Sequence, residues 1–222
     1  MNYISTANLS REEWLKLRKG GIGGSDAWKI VLDPSEYKYA DPLKLYLDKT
    51  TDEVEESDSL AAQMGTFLEP FVADLYTAHT GIRVHRWNRL IISGEYPWMR
   101  ADIDRKIYGK NEGLECKTIG EFAARKYLGM DEDGKRIYAD RFIEGDMEAS
   151  LQNKLDWYTQ MQHYMAVTGW DMWHLAVLIG NRQFLWYDVP RDQPWIDMLI
   201  EKEAAFWDCV ERRDNIWENT EE

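Results

Sequence analysis

The residue types best suited to chemistry lie in residues 104–117, Asp-Arg-Lys-Ile-Tyr-Gly-Lys-Asn-Glu-Gly-Leu-Glu-Cys-Lys. The pattern predicts two short strands joined by a Gly/Asn turn, with Asp104 opening the first and Glu115-Cys116-Lys117 on the second. Residues two apart on a strand share a face, so Glu115 and Lys117 should point one way and Cys116 the other. Converging carboxylates make a hard oxygen site suited to Mg²⁺ or Mn²⁺, ions that keep several waters and bind phosphate oxygens. An ammonium beside them can orient an attacking water and offset charge developing on phosphorus. Such parts suit metal-assisted cleavage of a phosphodiester. Taken alone the spacing is weak, because alternating charges on an exposed strand face often reproduce it.

Three further stretches supply company. Glu69, in Gly65-Thr66-Phe67-Leu68-Glu69-Pro70, sits among apolar residues directly before a proline, where a solvated glutamate is less expected. It is either an ordinary acid near a helix kink or a third metal ligand beside Asp104 and Glu115. The run Arg18-Lys19-Gly20-Gly21-Ile22-Gly23-Gly24-Ser25 combines a guanidinium fork, backbone amides that can approach an anion and a helix start. A plain glycine-rich turn is the commoner use of such a run, and no Gly-Lys-Ser/Thr makes it a P-loop. Residues 157–165 put amides among aromatics and methionines, as a packing helix with one polar edge would, or as a helix whose amides reach the catalytic groups or a phosphate.

Elements must hold these groups in place. Ser10 and Glu13 resemble a capping box for a helix to about residue 18, and Ser25-Asp26 caps a second reaching about residue 32. Asp41-Pro42 opens a third, to about residue 49. Residues 60–80 read as a helix with Met64, Phe67, Leu68, Phe71, Val72 and Leu75 at core spacing, and Pro70 predicts a kink or restart near residues 65–70. Strands are expected at 83–93, 98–108 and 113–119. Residues 120–145 look irregular, with a short helix near 121–128 and a turn at 131–134. A long helix follows at about 151–167, then a hairpin of 174–179 and 183–189 around Gly180-Asn181, and a final helix from about 195 to 213. No repeat or linker divides the chain, so one α/β domain over residues 1–222 is expected, ending in an acidic helical tail from about residue 195.

Composition bounds the rest. The 222 residues are 44% hydrophobic and include eleven tryptophans, as a folded globule requires. No apolar run approaches the roughly 18 residues of a membrane span, the residues after Met1 are polar, and two cysteines cannot build a four-cysteine metal site. A reduced, cytoplasmic setting is the resulting expectation. The net charge of −13 argues against loose coating of nucleic acid. Its distribution is uneven, however. Residues 201–222 hold eight acids and three bases, whereas residues 100–126 hold seven bases and five acids, a local excess that does not exclude a focused groove.

The order Arg18…Ser25-Asp26, Gly65-x-x-x-Glu69-Pro70, Asp104…Glu115-Cys116-Lys117-Thr118 and Tyr158-x-Gln160-x-Gln162 resembles the YqaJ-type viral recombinases, the phage lambda-type exonucleases of the PD-(D/E)xK nuclease superfamily. The likeness spans roughly residues 11–169. It implies a mixed central β-sheet flanked by helices and Mg²⁺-dependent (or Mn²⁺-dependent) 5′→3′ digestion of double-stranded DNA from its ends. It also implies a trimeric ring and a single-strand annealing partner in the cytoplasm of a bacterial host. By matched position Glu69, Asp104 and Glu115 would hold metal with the Cys116 carbonyl, Lys117 would position water, Gln160 would support the site, and Arg18 and Ser25 would grip the 5′-phosphate. Where the family often has Ser-Pro-Asp-Gly, this chain has Asp102-Ile103-Asp104-Arg105. Asp104 is the preferred ligand and Asp102 the fallback, since both should share a strand face. An endonuclease with the same core and a non-catalytic acidic interaction module are the rival readings.

Overall fold

The computed structural model describes residues 2–52, 59–127 and 154–216. Helix α1 (Arg11–Lys19) opens on the expected capping box, with the Glu13 N–H donating to Ser10 Oγ at 3.2 Å and the Ser10 N–H donating to Glu13 Oε2 at 2.7 Å. The glycine run becomes a tight connection through β2 (Ile22–Gly23) into α2 (Gly24–Val31). Asp41 caps α3 (Pro42–Thr50) by accepting from Lys44 N–H at 2.8 Å.

Helix α4 (Leu60–Thr80) excludes one of the two alternatives expected at Pro70 and departs from the expected core spacing. It runs as 21 continuous residues through Pro70, with no restart. Its apolar stripe is also only half covered. Val72, Ala73 and Tyr76 are buried against the sheet with Leu68 and Leu75 packed beside them, whereas Met64, Phe67 and Phe71 are 43%, 77% and 51% exposed. Periodicity marks an apolar face, but it cannot say how far along the helix the sheet extends.

Strand β1 (Asn2–Ser5) pairs with β4 (Arg89–Ile92), which pairs with β5 (Met99–Asp102) and through it with β2, giving a four-stranded sheet. A five-stranded sheet runs β3 (Val84–His85), β6 (Arg105–Ile107), β7 (Glu112–Ile119), β8 (Met172–Ile179), β9 (Gln183–Pro190). Both sheets are mixed, through the parallel pairs β2–β5 and β7–β8. Each of the two long strands expected at 83–93 and 98–108 is thus two strands in different sheets. Residues 99–107 alternate through the break, with Met99, Ala101, Ile103 and Ile107 in step, so local pattern hides that change of partner. Residues 83–93 do not alternate, and Asn88, at φ 46, marks the break between β3 and β4.

The other expected elements are present as α5 (Glu121–Tyr127), α6 (Leu155–Thr168), the β8–β9 hairpin with Gly180 at φ 56, and α7 (Gln193–Arg212). The turn expected at 131–134, the first residues of the long helix and the end of the acidic tail lie outside the described residues. Strand β8 is, His174 apart, apolar on both faces because both are covered. Trp173, Leu175, Val177 and Ile179 pack with Met161 and Met165 of α6, while Ala176 and Leu178 pack under α4. The mixed sheet flanked by helices is therefore the architecture, with β7 at its centre carrying Glu115 and Lys117. Among the described residues no helix is long and apolar enough to cross a membrane.

Candidate active site

Strands β6 and β7 form the expected hairpin, pairing Arg105 with Leu114 and Lys106 with Gly113. The alternation of β7 sends Glu115 and Lys117 toward α6 and Cys116 into the apolar cluster beneath α4. Lys117 Nζ lies 2.6 Å from Glu115 Oε1 and donates to Gln160 Oε1 at 2.9 Å. Gln160 closes the triangle, its Nε2 donating to Glu115 Oε1 at 2.7 Å and to Tyr164 Oη at 2.8 Å.

The two aspartates take different partners. Strand β5 ends at Asp102, so the strand face expected for Asp102 and Asp104 is interrupted, yet both line one cleft and the Asp102 charge acts on Glu115. Asp104 Oδ2 accepts the Cys116 backbone N–H at 2.8 Å, which ties it to β7. Asp102 Oδ2 instead accepts from Trp14 Nε1 of α1 at 2.9 Å. Glu69, on α4, forms an ion pair with Arg105. Arg18 and Ser25 meet across the glycine connection, with Arg18 Nη2 donating to Ser25 Oγ at 2.7 Å. Buried Asp26 organises that connection by accepting from Gly23 N–H at 3.2 Å and from Lys49 Nζ at 2.8 Å. Burial works against its ionisation, yet the Lys49, Arg18 and Lys29 charges hold its carboxyl well below the usual range.

One cleft of about 810 Å³ brings together all eight residues singled out from the sequence: Arg18, Ser25, Glu69, Asp104, Glu115, Cys116, Lys117 and Gln160. Burial, then the Glu115 and Glu69 charges, push Asp104 well above the ordinary carboxylate value, and burial raises Glu115 in spite of Lys117. Burial pulls Lys117 down, but the Glu115 and Asp104 carboxylates outweigh it, so the ammonium is raised and stays charged. Among the described residues no three acid, histidine or cysteine side chains already close on one point. The donors nonetheless fit a hard divalent cation. Glu115 Oε2 is buried without a hydrogen-bond partner, next to Asp104, in a cluster whose negative charges repel one another.

Two lining residues escaped the sequence reading. Trp14 packs against two guanidinium groups, the Arg11 and Arg18 carbons being 4.3 Å and 4.8 Å from its ring centroid. Their spacing of three and four along α1 was the available signal. Tyr164 stands one helical turn beyond Gln160, and an aromatic there reads as core.

This architecture is that of solved exonucleases. An alkaline exonuclease from Laribacter hongkongensis, LHK-Exo, matches with a TM-score of 0.65 at 20% identity, over 93% of this chain and 96% of that one. Its complex with dAMP matches with a TM-score of 0.65 at 21% identity, over 91% and 94%. A phage-related exonuclease from Haemophilus somnus 129PT gives 0.61 at 13% identity, over 87% and 94%. At such identities the likeness shows the fold. Residues 13–171 match the YqaJ-like viral recombinase domain, and the chain belongs to that family. The uncharacterized protein YqaJ of Bacillus subtilis (strain 168) is 35% identical over 204 residues, 90% of this chain and 56% of that protein. The chain thus spans about half the length of the curated relative it matches.

Proposed function

We propose that this chain is a Mg²⁺-dependent 5′→3′ exonuclease on linear double-stranded DNA, leaving 3′ single strands for phage-type recombination. The observation that carries the reading is the Glu115–Lys117–Gln160 triangle beside Asp104, in the same cleft as the Arg18–Ser25 pair. Asp104 and Glu115 would hold the metal, with Glu69 and the Cys116 carbonyl as further donors, and Mn²⁺ would serve in place of Mg²⁺. A divalent ion bound there supplies Lewis-acid polarisation of the phosphate and a more acidic water.

Lys117 holds a proton-rich ammonium where the nucleophile must be oriented, and Gln160 fixes both Lys117 and Glu115 through its amide. Arg18 retains guanidinium donors beyond the one given to Ser25, enough for a terminal phosphate, and Ser25 opens a helix whose dipole favours an anion. LHK-Exo has been solved with dAMP, a nucleoside monophosphate of the kind such a cut would release. Membership of the family supports a homo-oligomer, a trimeric ring, that works beside a single-strand annealing protein in the cytoplasm of a bacterial host.

The test is a time course on linear duplex with one 5′-phosphorylated end, run beside a covalently closed circle, with and without Mg²⁺. The linear DNA should disappear only with metal and fastest from the phosphorylated end, while the circle survives. Lys117→Ala should slow digestion by about 10²–10⁴-fold with the fold intact. Opening of the circle would replace this reading with an endonuclease. Absence of any metal-dependent loss would favour a non-catalytic acidic module.

A further inference from the structure

Against a net charge of −13, residues 83–89 read Arg-Val-His-Arg-Trp-Asn-Arg, three arginines with no acid between them. Strand β3 is an edge of the five-stranded sheet, and its pairing with β6 brings Arg83 against Tyr108. The Tyr108 N–H donates to the Arg83 carbonyl at 3.0 Å, and the Arg83 guanidinium lies 5.4 Å over the Tyr108 ring. The His85 ring sits 4.6 Å from the same tyrosine. Arg83 and Arg86 are exposed, and among the described residues neither makes an ion pair within 4 Å, although the Arg86 charge is felt by Asp102 in the cleft.

These side chains wall a second groove of about 550 Å³, lined by Arg83, Arg86 and Tyr108 together with Arg105 and Asp74. The groove is not isolated. Arg86 lines the catalytic cleft as well, and Arg105 reaches from the groove to the Glu69 carboxylate. Isolated surface arginines are ordinary in any protein and need no ligand. Here two unpaired guanidiniums and an exposed aromatic line a groove that shares a wall with the proposed phosphodiesterase site. A local field of this sign attracts a polyanion whatever the total charge.

We infer that the Arg83–Arg86–Tyr108 groove is a second nucleic-acid contact, which holds the phosphodiester backbone of the substrate outside the catalytic cleft. The inference rests on the nuclease reading. A single phosphate would be satisfied by one guanidinium fork, whereas an extended backbone can lie in the groove and continue past Arg86 into the cleft. Tyr108, 55% exposed, adds an aromatic surface beside the two forks that a sugar or base can pack against.

The experiment compares Arg83→Gln/Arg86→Gln with a control of equal charge, Arg182→Gln/Arg212→Gln, on the β8–β9 turn and α7. Binding of each to a fluorescent linear duplex is measured across a salt series with Ca²⁺ in place of Mg²⁺, after thermal melting establishes that both are folded. The groove variant should bind about 10-fold or more weakly at low salt, and the slope of log K against log[salt] should shrink by about 2. The control should keep both within twofold of wild type. Unchanged affinity and slope in the groove variant, or equal losses in the control, would overturn the inference and leave the nuclease reading standing. A wild type that neither binds nor digests duplex would overturn both.

Discussion

At the scale of single residues the amide of Gln160 is the pivot, since its oxygen takes the Lys117 ammonium while its nitrogen serves Glu115 and Tyr164. Gln162, two residues on, faces elsewhere: it donates to the Pro190 carbonyl and accepts from Asp192 N–H, both at 2.9 Å, and so fastens α6 to the start of α7. The residue pattern alone does not tell the two amides apart; the family resemblance singles out Gln160, and of the two it is Gln160 that lines the cleft. Tyr164 went unnoticed because a buried aromatic on a packed helix has an ordinary explanation, yet its hydroxyl is what aims the Gln160 amide. Tyr164→Phe should therefore lower kcat about 10-fold and leave KM nearly unchanged, at a stability cost of about 1 kcal/mol for the lost hydrogen bond. Steady-state digestion of linear duplex checks this, with a double-mutant cycle as the sharper readout. Added to Gln160→Ala, Tyr164→Phe should cost nothing more. A full further loss would mean that Tyr164 acts by some other route.

At the scale of elements, the site depends on how closely α2 approaches α6. A Cβ on Gly24 would lie 2.6 Å from Tyr164 Cε1 and 3.0 Å from Gln160 Cγ, so the first turn of α2 can seat against α6 only without a side chain there. Gly24→Ala should destabilise the fold by about 1–3 kcal/mol through overpacking, and slow digestion by pushing both Tyr164 and Gln160 off position. Urea denaturation and kcat should fall together. A variant of unchanged stability and rate would show that α2 shifts freely. The glycine run was visible in the sequence as a tight loop, but its packing partner, about 140 residues downstream, was not. The same limit explains the split strands. Asp102 and Asp104 are two apart in sequence, and the break between β5 and β6 sends one to Trp14 of α1 and the other to the Cys116 amide. Helix existence, the Ser10 and Asp41 caps and the β6–β7 hairpin were legible because their causes are local, whereas α2 starts earlier than expected, with Gly23 at the cap and Ser25 and Asp26 inside its first turn. Which part of α4 is covered, and which sheet each strand joins, are long-range facts.

For the molecule as a whole, the five-stranded sheet is cross-linked at one end by a histidine. His174 of β8 places Nδ1 2.6 Å from Asp188 Oδ1 on β9 and Nε2 3.0 Å from Glu112 Oε2 on β7, so one imidazole joins three strands. Lys110 also pairs with Glu112, at 3.2 Å, and the Tyr76 ring of α4 packs 5.8 Å from the imidazole. Burial pulls His174 down, but its hydrogen bonds to Asp188 and Glu112 outweigh that and raise it above the ordinary imidazole value. Asp188 is lowered by the same bond, and Glu112 is lowered despite burial. A raised imidazole contributes stability that is complete below the unfolded value of about 6.5 and is lost as pH climbs through the folded one. The lowered acids contribute above their unfolded values of about 4 and lose it as pH falls. The bridge should therefore be strongest between roughly pH 4.5 and 6.5. His163, buried against Glu203 at 2.8 Å and also raised, adds a decline of its own at higher pH. A difference between two proteins that both keep His163 removes it. Relative to wild type, His174→Gln should cost about 1–2 kcal/mol near pH 6, a figure reduced because Asp188 is largely exposed, and the gap should narrow steadily toward pH 9. Urea midpoints of both proteins across pH 5–9 measure it, and a gap that stays constant or widens with pH would mean that the cross-link is made by a neutral imidazole.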